Sequence, residues 1–200
     1  MTAWRKVSGA ELIEELDRGN LKSIVPQCSA VYVWRRELSA PQKAYSDPNY
    51  FVDWVNEVVD QVSAVVGPKD ISHCVTLSGL VIGGGGLTED KQKTAEWLSE
   101  RRKVRRYVLD LIESFNEVMP PIYIGNANSL LDRTGQHLRA NTDLFSYLYD
   151  ELSLDWKDVR LEYLKLSDKP AEREDSKEFQ EFVELVAQRV LAPIGTKRVG

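Results

Sequence analysis

Residues 121–138 read PIYIGNANSLLDRTGQHL, and no other stretch of the chain limits its fold so tightly. Pro120 and Pro121 end whatever precedes them, because proline has no N–H for a helix and its ring clashes with the preceding turn. A short apolar strand follows, stops at Tyr123-Ile124-Gly125, and runs directly into a helix that carries Arg133 and His137 one turn apart. The glycine meets the need for a turn. A tyrosine, an arginine and a histidine converging beside it meet some other need.

Around this junction the chain alternates helical and extended periods. Ser8 with Glu11 forms a capping box for a helix over about 9–18, which Gly19-Asn20 ends. AVYVWRREL at 30–38 is rich in β-branched and aromatic residues and reads as a strand. Asp47-Pro48 opens a second helix, in which Phe51, Val55, Val58, Val62 and Val65 recur at helical spacing until Gly67-Pro68. Residues 71–82 fit a strand or a buried turn, and the GGGG at 83–86 is a mobile-backbone loop without the Gly-Lys-Ser/Thr ending of a phosphate-binding loop.

The longest periodic segment runs from Thr88 to about Val118, with Trp97, Arg101, Val104, Val108, Leu111, Phe115 and Val118 along one seam. As one helix it would reach roughly 45 Å, at about 1.5 Å per residue. A short helix, TDLFSYLYDEL, and an alternating strand, VRLEYLKL at 159–166, precede a last helix over about 171–191 with Phe179, Phe182, Val183, Val186 and Val190 on one face. The order predicts an α/β or α+β layered fold.

Composition narrows the function classes. A chain of 200 residues that is 42% hydrophobic can bury a core, and no apolar run is long enough to span a bilayer. The start, MTAWRKVSGAELIEEL, is amphipathic and unlike a secretory signal, so a cytoplasmic address is expected. Two cysteines make no disulfide framework, and His73-Cys74 alone is a poor zinc site. The net charge of −5 argues against indiscriminate polyanion binding. Charge is uneven, however: in KQKTAEWLSERRKVRR at 91–106, the residues Arg102, Lys103, Arg105 and Arg106 fall off the apolar seam, either free for phosphates or as the solvated side of a helix.

These positions together resemble the GIY-YIG nucleases. Ala30-Val31-Tyr32 stands in the place of the first family tripeptide and Tyr123-Ile124-Gly125 matches the second, with Arg133 ten positions beyond Tyr123 and His137 four further on. VELVAQRVLAPIGT at 183–196 is similar to the family's terminal helix, where a Glu precedes a Pro by nine residues; this selects Glu184 over Glu181 and Glu178. The chain departs from the pattern at Ala30, where the family has Gly, and at Thr196, where most members have Asn. It departs most in the 91 residues that separate Tyr32 from Tyr123.

The resemblance implies a small three-stranded sheet flanked by helices, a single domain over 1–200 with its core at about 28–38 and 120–196, and a mainly helical insertion at 39–119. It also implies a metal-dependent endonuclease on DNA, similar to stand-alone restriction or phage-defence members. Tyr32 would act on the attacking water as general base or positioner, and Tyr123 would hold the water or the phosphate. Arg133 would bind the scissile phosphate, His137 would relay a proton, and Glu184 would bind Mg²⁺ or Mn²⁺. Cutting both strands of a duplex would call for a homodimer. The residues leave open a non-catalytic interaction protein that binds a partner through the insertion, and RNA as the substrate.

Overall fold

The computed structural model describes residues 3–61, 64–66, 69–72, 75–77, 80–82, 86–166 and 176–191. In chain order the elements are β1 (Arg5–Ser8), α1 (Gly9–Asp17), β2 (Ala30–Arg36), α2 (Gln42–Ser46), α3 (Pro48–Gln61), β3 (Ala64–Val66), β4 (Lys69–Ser72), β5 (Val75–Leu77) and β6 (Leu80–Ile82). They continue with α4 (Glu89–Ser99), α5 (Arg102–Ser114), β7 (Pro121–Ala127), α6 (Leu130–Leu138), α7 (Asp143–Ser146), β8 (Val159–Lys165) and α8 (Ser176–Leu191). The chain divides into two compact units, residues 1–37 with 118–200, and residues 38–117.

The first unit is built on an antiparallel sheet of order β1-β8-β2-β7. Alternation along β2 sends Ala30, Tyr32 and Trp34 into one core with Leu12, Leu130, Leu138, Leu148, Trp156 and Leu161. Val31 and Val33 point the other way, join Ile124, and are covered by Val183, Ala187 and Leu191 of α8. Burial on both faces explains why AVYVW reads as a continuous apolar run. The strand count exceeds the three implied by the resemblance, because β1 pairs with β8, Arg5 opposite Tyr163 and Val7 opposite Leu161. Four residues reading RKVS carry too little periodicity to announce a strand, and their charge suits a sheet edge.

α1 starts as its sequence dictates. Ser8 Oγ accepts the Glu11 N–H at 3.2 Å, and the Glu11 carboxylate accepts the Ser8 N–H at 3.3 Å, completing the capping box. The first helical residue, Gly9, packs against the turn before β8: a Cβ there would lie 1.7 Å from the Trp156 carbonyl oxygen and 2.5 Å from that of Val159.

The second unit corrects two sequence expectations. The segment 88–118 is not one rod: α4 ends at Ser99, Arg101 is extended, and α5 begins at Arg102. The break is held by Arg105, which is buried and donates to the Ser99 carbonyl as well as to the Tyr45 carbonyl from Nη2 at 3.1 Å. The carbonyl freed at the end of α4 thus finds an internal donor. Arg105 is therefore not available to a phosphate, contrary to its expected place on the solvated face. Ala95 and Leu109 supply the buried contacts, whereas Trp97, Leu111 and Phe115 of the expected seam are exposed.

Nor is the unit all helix. α3 stops at Gln61, Val65 lies in β3, and the ambiguous stretch after it yields β4, β5 and β6, paired as β3 with β6 and β4 with β5. The expectations for His73-Cys74 and Thr196 fall on residues outside those described. No helix among the described residues is long and apolar enough to cross a membrane.

Because the atoms a Gly9 Cβ would meet are backbone, they cannot turn aside as a side chain would. Gly9→Ala is expected to cost about 3 kcal/mol, measured by urea denaturation followed through the buried tryptophans 34 and 156.

Candidate active site

Tyr32 lies in β2 directly opposite Gly125 of β7 on one side and Tyr163 of β8 on the other. Its ring is buried and leans over Gly125, so that a Cβ at position 125 would sit 2.6 Å from the Tyr32 hydroxyl and 2.9 Å from the Tyr123 ring. The glycine of Tyr-Ile-Gly is required by this overlap more than by any turn, for β7 continues two residues beyond it.

α6 then delivers the two charged candidates. Ser129 caps it, its Oγ accepting the Asp132 N–H at 3.3 Å, and Leu130, Thr134 and Leu138 bury its inner face. Residues four apart share a helix face, so Arg133 and His137 both reach Tyr32. Arg133 Nε donates to the Tyr32 hydroxyl at 3.3 Å, and His137 Nε2 lies 2.9 Å from the same oxygen. His137 Nδ1 in turn lies 2.7 Å from Thr142 Oγ1. Arg133 can only donate, so the Tyr32 oxygen accepts from it, while the imidazole tautomer sets the direction of the bonds that join His137 to Tyr32 and to Thr142. Tyr123 completes the group, its ring centroid 6.1 Å from that of Tyr32 and 5.8 Å from that of His137.

Electrostatics keep this cluster neutral except at Arg133. Burial, and secondarily the Arg133 cation, pull His137 down to about 3. Burial also pushes the Tyr32 phenol well above its ordinary range, with the Tyr123 hydroxyl adding to it and Arg133 opposing. Tyr32 therefore keeps its proton near neutral pH, and of the two roles expected for it the geometry supports positioning over proton abstraction.

Glu184 stands on the opposite face of the sheet, on α8, beside the edge strand β7. Asn126, the residue after Gly125, donates its side-chain amide to Glu184 Oε2, and Gln188 Nε2 donates to Oε1 at 3.0 Å. Half-burial raises the carboxyl above its usual range, as does Glu181; the amide of Asn126, Gln188 and the Arg133 charge oppose this. Arg133 is thus felt on both faces, through a hydrogen bond to Tyr32 and through its field at Glu184. Sequence reasoning missed Asn126, Gln188 and Thr142. An asparagine inside an apolar strand, where it is disfavoured, was a readable signal for the first; the other two gave none.

Among the expected nucleic-acid contacts, Arg102, Lys103 and Arg106 are exposed on α5, in the other compact unit. No family model, curated protein or solved structure matches the chain. No group of three or more His, Cys, Asp or Glu side chains able to hold a metal occurs among the described residues.

Two outcomes follow. Gly125→Ala should displace the Tyr32 hydroxyl and destabilise the protein by about 2 kcal/mol, with the change in tyrosine environment read by NMR. The second concerns pH. The unfolded histidine takes up a proton near pH 6.5, and the folded one only near 3. In that window the unfolded state binds more protons, so stability is lost as pH falls. The stability advantage of the unmodified protein over His137→Gln should shrink by up to about 1.4 kcal/mol per pH unit between pH 6 and 4, in paired urea titrations.

Proposed function

We propose that the chain is a divalent-metal-dependent endonuclease of the GIY-YIG type, hydrolysing phosphodiester bonds in DNA. The observation that carries this reading is the hydrogen-bonded group Arg133–Tyr32–His137, assembled from segments about a hundred residues apart and joined electrostatically to Glu184 across the edge strand. A packing role alone gives no reason for a partly exposed cation to be bonded to a buried phenol that also meets a buried imidazole.

The donor chemistry fits a hard cation. Glu184 is a carboxylate flanked by the amides of Asn126 and Gln188, an all-oxygen and amide surrounding that suits a hard ion. Mg²⁺ or Mn²⁺ needs only one or two carboxylates and keeps its remaining waters. Such a cation, when bound, neutralises charge on the phosphoryl oxygens and on the departing 3′ oxygen. Arg133 presents its planar donors to the scissile phosphate, held in direction by Tyr32 at Nε and by Gln136 Oε1, 3.1 Å from Nη1. Tyr32, kept protonated, fixes Arg133 and Tyr123. Tyr123, only half-buried, holds the attacking water. His137 orients the Tyr32 hydroxyl and stays neutral while doing so. Arg102, Lys103 and Arg106 would follow the DNA backbone, and a homodimer would bring two sites to a duplex.

A second reading has its own support. Tyr107 and Leu111 on α5, and Phe115 just past its end, recur at four-residue steps and are 67%, 45% and 47% exposed. A non-catalytic protein that docks a partner chain on this stripe would use them in this way.

The deciding experiment is plasmid nicking with Mg²⁺, with and without chelator, for the unmodified protein, Glu184→Ala, Arg133→Ala and the control Glu181→Ala. Cleavage is expected to disappear with chelator and with Glu184→Ala, to fall about 10²–10³-fold in Arg133→Ala, and to persist in Glu181→Ala. Failure of the unmodified protein to cut plasmid, single-stranded DNA or RNA overturns the nuclease reading in favour of the second.

A further inference from the structure

The Glu184 carboxylate is gripped at both oxygens by side-chain amides from two different elements, Asn126 on β7 at Oε2 and Gln188 on α8 at Oε1. Both amides are N–H donors here, because a carboxylate can only accept. The carboxyl is half-buried and has Glu181 as a like-charged neighbour on its own helix, with Arg133 from α6 as the opposing cation. Left to itself, such a carboxylate would swing toward solvent or toward Arg133. Two donors fix its plane, one oxygen each, and leave the remaining lone pairs of both oxygens for a ligand. The amides do this at no cost in charge, so the site keeps the single negative charge that attracts a cation without adding a second that would repel Glu184.

Resting on the nuclease reading of Glu184, we infer that Asn126 and Gln188 are positioning residues that clasp Glu184 as the ligand of a hard divalent cation, with Asn126 the principal member. Asn126 is the stronger restraint because it is anchored in the sheet: β7 is paired with β2 residue by residue, Asn126 lying opposite Val31. Gln188 shares the helix of Glu184, one turn away, and moves with it. The arrangement also accounts for a polar residue between the apolar Ile124 and the buried Ala127. Position 126 faces α8, and its side chain meets the Glu184 carboxyl there.

The test is direct Mn²⁺ binding, read from the loss of the free-ion EPR signal, for the unmodified protein, Glu184→Gln, Asn126→Ala and Gln188→Ala, with the thermal midpoint of each recorded without metal. One ion per chain is expected for the unmodified protein and none for Glu184→Gln. Asn126→Ala should bind 10- to 100-fold more weakly, yet still saturate at one ion with its metal-free midpoint little changed; Gln188→Ala should lose a few-fold. A merely structural role would lower the midpoint or the stoichiometry and leave the affinity of the remaining sites intact. If Asn126→Ala and Gln188→Ala bind as tightly as the unmodified protein while Glu184→Gln does not bind, the clasp is refuted and the nuclease reading stands. If Glu184→Gln binds like the unmodified protein, or the unmodified protein binds no Mn²⁺, Glu184 is not the ligand and both fall. Should Asn126→Ala fail to fold, Gln188→Ala decides alone, since alanine is a strong helix former.

Discussion

The hydroxyl of Tyr32 occupies the space that any side chain at position 125 would fill, and the candidate site is organised around that overlap. A buried phenol is costly unless its oxygen is satisfied. Here Arg133 donates to it and His137 Nε2 shares a hydrogen bond with it, so the desolvation of one group is offset by partners that another element supplies. The arrangement then propagates outward: His137 is fixed by Thr142, Arg133 by Gln136, and the orientation of α6 follows from both. Hydrogen-bonded groups set in place before any ligand arrives need little reorganisation when charge develops beside them, which is the condition under which polar groups stabilise a transition state best.

The position of β7 at the edge of the sheet gives this cluster its reach. An interior strand would separate the two faces completely, with Tyr32 on one and Glu184 on the other. Around an edge strand, groups from both faces can meet, and Arg133 influences the Glu184 carboxyl from the far side. Pro121, at the first residue of β7, is compatible with an edge and would be disfavoured in the centre of a sheet. The register shift lies at the same end of the pairing: Trp34 faces Tyr123 and Arg35 faces Pro121, which leaves Ile122 of β7 as the extra residue of a bulge.

Much of this was legible in the residues, for identifiable reasons. β2, β7 and β8 were legible because burial on one or both faces imposes an apolar pattern, and α1 because Ser8 and Glu11 form a capping box whose chemistry is local. The four-residue helical spacing put Arg133 and His137 on one face beside the Tyr-Ile-Gly strand, and it was the resemblance that implied Tyr32 as their neighbour. The rest depended on contacts that the sequence does not encode locally. β1 is four mostly polar residues whose strand character comes from β8. The break between α4 and α5 depends on Arg105 turning inward to a carbonyl, while its composition suggested a solvated cation. The burial that holds Tyr32 protonated is a property of the packed core, and no spacing rule conveys it.

The chain between β2 and β7 makes the same distinction from the other direction. The closure entropy of a loop rises only with the logarithm of its length, so the cost of a long connection depends mainly on how well its ends are fixed. Within the second unit, residues 38–117, those ends are tied by one side chain. Asn116 Oδ1 accepts the Leu38 N–H at 2.7 Å, and its Nδ2 donates to the Leu38 carbonyl at 2.8 Å. An amide paired with both backbone groups of one residue imitates a rung of antiparallel sheet and closes the ends of this unit much as a turn would, whatever the number of residues between them.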